Sequence, residues 1–333
     1  MDKAQVDMIK ACLTGSRTVF RYVPDGYALQ LLKDYIGTGM EIGALRRSPY
    51  AKLLNKPIVR DALAIAGNGI LQAWHLDSVG HQYEKRKPLN FVLTLSDWGT
   101  DEKENRHWKQ ICRTGHQLVL QLNFANDHQQ HYKTLINTQH NAAFSYHGHP
   151  VRLDGAYETL AWARIDLDFA SNQALIEEIQ SDWVKGALDQ EKNWCYGETN
   201  MQQYREVLRP YAKLWDEAML TAAVHFIRDE LGIRDVFYHS FETGNRLKGI
   251  ERYYHYGKPP RYLYTELPNK FCFVKTSEAP DFLKQVRYVH YLQRHGQALW
   301  FKLPVQPVQD RQKDSQHGKE TAKNPQKRAA CAH

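Results

Sequence analysis

The sequence predicts an α+β protein with a mixed central sheet and packed helices, preceded by a basic helical region. Three observations predict this class. Apolar residues recur at helical spacing in the first sixty residues, β-rich runs begin near residue 89, and a long amphipathic segment separates two later strands. A length of 333 residues with 42% hydrophobic residues can bury a real core, which excludes disorder of the whole chain.

The N-terminal region, residues 1–68, is predicted to be helical. The run 27–36 has helical apolar spacing and is followed by Gly37, and two further helices are predicted at 48–54 and 57–66. Its first sixty residues hold ten Lys or Arg against five Asp or Glu. This region is therefore a basic helical cap.

Residues 69–305 are predicted to form the mixed-sheet domain. Short β-rich runs bounded by turn residues predict strands at 89–95 and 117–124. The runs 160–169 and 174–183 are joined by a short polar connection, which is typical of an antiparallel hairpin. This part of the chain therefore supplies most of the predicted sheet.

A helix over 211–231 and a strand over 235–240 complete the predicted domain. The helix has one apolar face and ends at Gly232. A strand, a long helix and another strand next to a hairpin favour a mixed sheet over an all-β fold. The tail, residues 306–333, has no aromatic residue and no periodicity and is predicted to be disordered.

The net charge of +7 is concentrated at the two ends of the chain. The tail holds six Lys or Arg against three Asp or Glu, so the middle of the chain is close to neutral. Basic flanks favour contact with a polyanion, and a merely solvated basic end is the alternative. We therefore predict nucleic acid as the partner, with DNA favoured over RNA.

Several classes of protein are excluded by missing patterns. No run of about 18 apolar residues predicts a membrane span, and the polar N-terminal residues lack a signal-peptide stretch, so we expect no membrane contact and a cytoplasmic location. Five widely spaced cysteines suggest neither a disulfide framework nor a CxxC site. Phosphate-loop, dinucleotide-binding and nucleophile-elbow motifs are missing too. The sequence indicates no oligomeric state.

Histidine pairs raise the question of a metal. His147 with His149, and His128 with His131, could offer paired ligands, but none has a recognisable zinc spacing and HExxH is missing. We therefore predict neither a metal nor a cofactor.

The most informative segment is Glu178 to Trp183 in the second strand of the hairpin. Alternation along a strand places Glu178, Gln180 and Asp182 on one face and Trp183 on the other. Two carboxylates and an amide in a row indicate a polar cavity, unless the strand simply faces water. The strand's predicted place near the middle of the sheet favours the cavity.

A second candidate lies where the later strand ends. His239 could act as an acid or a base there, although a lone histidine beside a core strand is also common as a structural residue. Polar groups at this end of a strand, before a glycine-containing turn, are a usual place for a ligand. The predicted binding residues of this turn are Ser240, Thr243, Asn245 and Arg246. We expect His239 to share one pocket with the carboxylate row.

A resemblance adds to this prediction. The hexapeptide 178–183, EIQSDW, the Leu214-Trp215 pair near the start of a helix and the run 232–235 before a strand together resemble the EIQSDW-containing domain of large polyvalent proteins of phages and mobile elements. The similarity covers about residues 160–275. It implies phage or mobile-element biology and an arrangement that is partly like the GNAT acyltransferases. The glycine loop that binds acyl-coenzyme A in that fold has no counterpart at 208–213.

Three functions are compatible with these observations. The first is metal-independent hydrolysis of an N-glycosidic bond in nucleic acid, with Asp182 activating water, Glu178 as the alternate carboxylate and His239 as a proton donor or phosphate contact. In this hypothesis Gln180 and Trp183 hold the base. The second is a GNAT-like acyltransferase that uses Glu178 or His239 as its base. The third is a non-enzymatic factor that binds nucleic acid or protein in phage–host conflict.

Overall fold

The protein is mixed α+β, as predicted, and its centre is one eight-stranded sheet packed with helices. The computed structural model describes residues 1–13, 18–103, 109–136, 143–153, 157–189, 197–250 and 258–306. The strands are β1 (Thr18–Tyr22), β2 (Gly39–Glu41), β3 (Ile70–Gln72), β4 (Leu89–Thr100), β5 (Gly115–Phe124), β6 (Thr159–Asp168), β7 (Gln173–Gln180), β8 (Asp235–His239), β9 (Val274–Thr276) and β10 (Trp300–Lys302).

Helices cover the sheet and form most of the N-terminal region. They are α1 (Lys3–Leu13), α2 (Gly26–Ile36), α3 (Ile42–Leu45), α4 (Pro57–Ile65), α5 (Ala73–Glu84), α6 (Asn126–Leu135), α7 (Asp182–Leu188), α8 (Glu198–His225), α9 (Phe241–Lys248), α10 (Glu266–Lys270) and α11 (Arg287–Arg294). Within the described residues, no helix combines the length and the apolar character needed to cross a membrane.

The sheet has the strand order β1-β4-β5-β6-β7-β8-β10-β9, and β2 pairs with β3 apart from it. Neighbouring strands are antiparallel except β7 and β8, which run parallel and are connected through α7 and α8. A parallel pair needs such a crossover, because the chain must return to the same end of the sheet. The predicted hairpin of β6 and β7 and the strand–helix–strand unit are both present.

The two faces of the sheet differ. One face carries apolar side chains, among them Leu120, Ile165 and Tyr238, and belongs to the main core that also contains the buried face of α8. The opposite face carries a row of polar residues on β5, β6 and β7. A smaller apolar cluster that includes Phe237 and Trp300 covers its β8 end. Polar side chains on a covered face need partners, and these partners define the candidate site.

Helix α8 is longer than the sequence predicts. It begins at Glu198 and continues through Pro210, followed by a π-helical turn at Phe226–Glu230. Met201, Tyr204 and Leu208 are buried before the proline, so packing compensates for the hydrogen bond that proline cannot donate.

The N-terminal region also contributes a strand that the sequence analysis did not predict. β1 pairs with β4, and the Tyr22 hydroxyl at its end donates to the buried Glu217 carboxylate of α8. The helices predicted at 27–36 and 57–66 are present as α2 and α4, while 48–54 forms only a 3₁₀ turn at Ala51–Asn55. The predicted disorder of the tail concerns residues that lie, from 307 on, outside the described part of the chain.

Candidate functional site

A bulge in β7 changes which carboxylates share a face. Arg164 pairs with Glu178 and Ile165 pairs with Ile176, so Glu177 is an extra residue opposite β6. The regular alternation of side chains is interrupted at such a residue. Glu177 and Glu178 therefore both reach the polar face, whereas in an unbroken strand only one of the two could do so.

Glu178 is the centre of a buried ion group. The Arg164 guanidinium donates to its carboxylate, and the Lys248 ammonium nitrogen lies 3.4 Å from its Oε2. Burial alone would raise the pKa of Glu178, but Lys248 and Arg164 lower it to about 2. Arg164 also donates to the carbonyl oxygens of Lys109 and Gln110, both at 2.9 Å. The two cations hold Glu178 as a fixed anion rather than a proton donor.

His239, at the end of β8, lies beside a second group of buried residues. Its Nε2 is 3.1 Å from the Cys112 sulfur, and the Cys112 backbone N–H donates to Glu177 Oε1 at 3.1 Å. Burial, reinforced by Lys248 and Arg164, lowers the pKa of His239 well below its usual value, so the imidazole is neutral. Burial also raises the pKa values of Cys112 and Glu177. Within the described residues, these three side chains are the group whose donor atoms could hold a metal ion.

Asp182 belongs to a helix and not to the strand that the sequence predicts. β7 ends at Gln180, and Ser181 becomes the N-cap of α7, with its hydroxyl oxygen accepting from the Val184 N–H at 3.1 Å. Asp182 is the first residue of α7, where a carboxylate is favoured by the helix dipole. The chain turns into a helix here rather than continuing the strand because the Ser181 hydroxyl satisfies a backbone N–H of the first turn of α7.

The Asp182 carboxylate is paired with a histidine from a distant loop. His149 Nδ1 lies 3.0 and 2.9 Å from its two oxygens, and Trp162 Nε1 donates to it at 3.2 Å. Gln180 Nε2 donates at 2.5 Å. The Asp182 side chain is only 9% exposed, whereas that of His149 is 28% exposed. We assign the proton to Nδ1, since this nitrogen faces both oxygens of the Asp182 side chain.

The loop that carries His149 is anchored on both sides. Gln121 of β5 donates to the Pro150 carbonyl at 2.7 Å, and the Arg152 N–H donates to the Thr159 hydroxyl at 3.0 Å. The His149 N–H donates to the Tyr146 carbonyl at 2.9 Å, which closes a turn. These bonds hold the imidazole over β6 and β7.

The four residues expected in one pocket therefore lie on one face of the sheet but in different surroundings. Gln180 and Asp182 form one group with His149, whose imidazole is partly exposed. Glu178 and His239 lie in a separate, buried region. The two regions are neighbours, since Glu178 and Gln180 are alternate residues of β7. A cavity of about 410 Å³ at the other end of the sheet, beside β1, contains none of these residues.

The other predicted binding residues have structural contacts. Trp183 is fully buried and donates to the Tyr204 hydroxyl at 2.7 Å, because the start of α7 turns its side chain into the main core. The predicted turn after β8 is the helix α9, and Ser240 is its N-cap. Thr243 accepts from the Leu299 N–H at 2.9 Å, and Arg246 donates to Gln297 Oε1 at 3.0 Å. Asn245 is buried in the same helix. These contacts hold α9 against the segment before β10.

Sequence reasoning missed most of the partners at this site. His149 was considered only as part of a metal-ligand pair, and Arg164, Lys248, Cys112 and Glu177 were not considered as site residues. A usable signal existed for Arg164, because an arginine within the apolar run 160–167 requires a buried counter-charge. Nothing in the sequence indicated the bulge at Glu177.

Comparison with known proteins gave no match to a family model, a curated protein or a solved structure. The resemblance to the EIQSDW-containing domain therefore stays a prediction from the hexapeptide and its neighbouring segments.

Proposed function

We propose that this protein hydrolyses N-glycosidic bonds in nucleic acid without a catalytic metal, and that His149 is its acid–base residue. The observation that carries the proposal is the pairing of His149 Nδ1 with both Asp182 oxygens while the imidazole stays 28% exposed. No described residue makes a hydrogen bond to Nε2, so this nitrogen is the atom that exchanges protons with a substrate.

The reaction needs one proton to move twice. His149 Nε2 accepts a proton from water as the oxygen attacks C1′ of the sugar, and the C1′–N bond breaks with its electron pair leaving on the base. The imidazolium then gives its proton to the departing base nitrogen. Asp182 stabilises the transient imidazolium and fixes the ring in one tautomer.

Asp182 has a different role here from the one its sequence position suggests. Its carboxylate accepts from Trp162 and Gln180 besides His149 and is 9% exposed, so it has little capacity to bind a water molecule. We therefore assign Asp182 as a positioning residue and His149 as the catalytic residue. Glu178, bound by two cations, takes no proton in this scheme.

Nucleic acid as the substrate is supported by the surroundings of the dyad. The Tyr146 ring lies 4.8 Å from the His149 ring and is 62% exposed, so it offers an aromatic face on which an unstacked base can lie. Lys185, exposed on α7 next to Asp182, supplies a positive charge for a phosphate. The basic N-terminal region adds longer-range attraction.

The test is release of a base in the presence of EDTA. Purified protein is incubated with unmodified DNA, modified-base phage DNA and RNA, and abasic sites are detected by alkaline cleavage and the free base by mass spectrometry. His149→Gln and Asp182→Asn should each abolish release. Asp101→Asn is the matched control, since it removes the carboxylate of a surface pair with His116 and should leave release unchanged.

Each other outcome contradicts the proposal in a defined way. Strand cleavage that disappears in EDTA would indicate a metal nuclease. If no substrate loses a base, the proposal fails, and a thermal shift with acetyl-coenzyme A would then favour the acyltransferase hypothesis. Binding of nucleic acid that survives both dyad variants, with no product, would favour the binding factor.

A further inference from the structure

We propose that Cys112, Glu177 and His239 form a buried zinc site that stabilises the fold. This site is separate from the proposed catalytic dyad. Its three donors come from the segment before β5, from the bulge of β7 and from the end of β8. Cys112 and Glu177 are 65 residues apart in sequence, and Cys112 and His239 are 127 apart, which explains why no zinc spacing is visible in the sequence.

The donor atoms already have nearly the spacing of a metal site. They all lie within 4.8 Å of one another, and the sulfur-to-nitrogen distance is 3.1 Å. Zinc binds sulfur at about 2.3 Å and nitrogen or oxygen at about 2.0–2.2 Å, so its tetrahedral ligands lie roughly 3.5 Å apart. Small side-chain rotations therefore convert the present cluster into a set of zinc ligands.

Unsatisfied polar atoms are a second and independent indication. Glu177 Oε1 accepts from the Cys112 N–H, but its Oε2 is buried and has no hydrogen-bond partner. The two polar atoms of the buried Gln117 amide likewise make no hydrogen bond of normal geometry. The Gln117 amide and the Cys112 thiol face the Glu177 carboxylate, but no side-chain hydrogen bond to its Oε2 has normal geometry. A poorly satisfied buried carboxylate is destabilising, and a cation provides a stronger partner.

The electrostatics of the region accommodate zinc. One zinc ion bound by a thiolate, a carboxylate and a neutral imidazole has no net charge. The nearby cations, Arg164 and Lys248, are already paired with Glu178. Zinc suits this mixed set of sulfur, nitrogen and oxygen donors better than calcium or magnesium, which prefer oxygen alone. The Gln117 amide is buried beside Glu177 and faces the same carboxylate.

The bulge and a close backbone contact place these ligands. The bulge lets the neighbouring residues Glu177 and Glu178 both reach the polar face of the sheet. Gly244 of α9 packs so closely on His239 that an added Cβ would be 3.0 Å from the histidine Cβ. The imidazole is thereby fixed between α9 and Cys112. Such preorganisation is what a structural metal site requires.

The test measures metal content and its ligands. Full-length protein, purified without chelator and also refolded with zinc, is analysed by mass spectrometry of metals and by zinc release into a chromogenic chelator on denaturation. We expect one zinc per chain. Cobalt substitution should give a thiolate-to-cobalt charge-transfer band. Cys112→Ser should abolish this band and lower the zinc content at least tenfold, and His239→Gln should also lower the zinc content.

Control variants separate zinc binding from general damage. Cys272→Ser changes another buried thiol, in the main core, and should keep both the zinc and the cobalt band. Glu177→Gln should weaken zinc binding while the folded circular dichroism spectrum is retained. The proposal is overturned if wild-type protein, purified or refolded with zinc, is folded yet contains no stoichiometric metal and yields a cobalt spectrum without the thiolate band. Because zinc content and base release are measured separately, the two proposals can fail independently.

Discussion

Two histidine–carboxylate groups occupy the same face of the sheet, and their surroundings make them chemically different. His149 and Asp182 lie at the start of α7, where the imidazole is partly exposed and one ring nitrogen is free of hydrogen bonds to described residues. His239 and Glu177 are fully buried beside Cys112 and next to two cations. The first group can exchange a proton with a substrate. The second can hold a fixed ion but has no exposed atom through which to react.

The comparison shows that residue type alone does not define a catalytic site. Burial and neighbouring charge keep His239 neutral, whereas a hydrogen-bonded carboxylate and access to solvent suit His149 for acid–base chemistry. Mutations in the exposed group should therefore affect activity, and mutations in the buried region should affect stability. Four predictions test this division, in order of decreasing effect.

The largest effect on stability is expected from Glu178→Gln. This change removes the anion between Arg164 and Lys248 and breaks both of its buried ion pairs, so the free energy of unfolding should fall by about 3–5 kcal/mol. Urea unfolding followed by circular dichroism measures this change. Glu206→Gln removes a carboxylate from an exposed pair with Arg209 and should change it by less than about 0.5 kcal/mol. Equal effects would contradict the importance of burial.

His149→Gln should affect activity much more than stability. Loss of the proton-exchanging group should reduce base release by about 100-fold or more, while the free energy of unfolding changes by less than about 1 kcal/mol because the side chain is partly exposed. His239→Gln should instead destabilise the protein. Single-turnover rates and urea unfolding of both variants give the comparison. A stable His239 variant together with an unfolded His149 variant would reverse the assignment of the two groups.

A third histidine, His128, should make the stability of the protein depend on pH in the acid range. Burial in the main core, against the Phe124 ring, lowers the pKa of His128 to about 3. The unfolded chain binds a proton near pH 6.5 and the folded chain does not, so this stability is fully present above pH 6.5 and falls by roughly 1.4 kcal/mol per pH unit below it, toward pH 3. His128→Phe should flatten this part of the profile. Urea unfolding from pH 7 to pH 4 tests it, and parallel profiles for both proteins would contradict it.

The smallest effect is expected from Gly244→Ala. The added methyl group would lie 3.0 Å from the His239 Cβ, and neither group can move easily within the buried region, so we expect a loss of about 1 kcal/mol despite the better helix propensity of alanine. Gly80→Ala in α5 is the matched control, because the added methyl group would lie 3.6 Å from its nearest neighbouring atom, which is an ordinary van der Waals distance. Chemical unfolding should show this control variant to be slightly stabilised. A stabilised Gly244 variant would show that His239 is not tightly held.

Much of the fold was predictable because it depends on local patterns. The apolar spacing in α2 and α4, the short polar connection between β6 and β7 and the β-rich runs of β4 and β5 are properties of neighbouring residues. Strand β1 escaped prediction because it is five residues long and lies on the sheet edge within a helical region. Helix α8 was predicted too short, since Pro210 is a reliable helix breaker only where packing does not compensate.

The sequence by itself determined the class of the protein, its central hairpin and the place of Glu178 and Gln180 on one face of the strand. It placed Asp182 wrongly in that strand. Only the tertiary structure decided what each of these residues contacts. The bulge at Glu177 and the loop that carries His149 both depend on residues far away in the chain. The physical reason is that alternation along a strand is a local property, whereas the partner of a buried charge is chosen by the folded chain, which must satisfy every polar group that it removes from water.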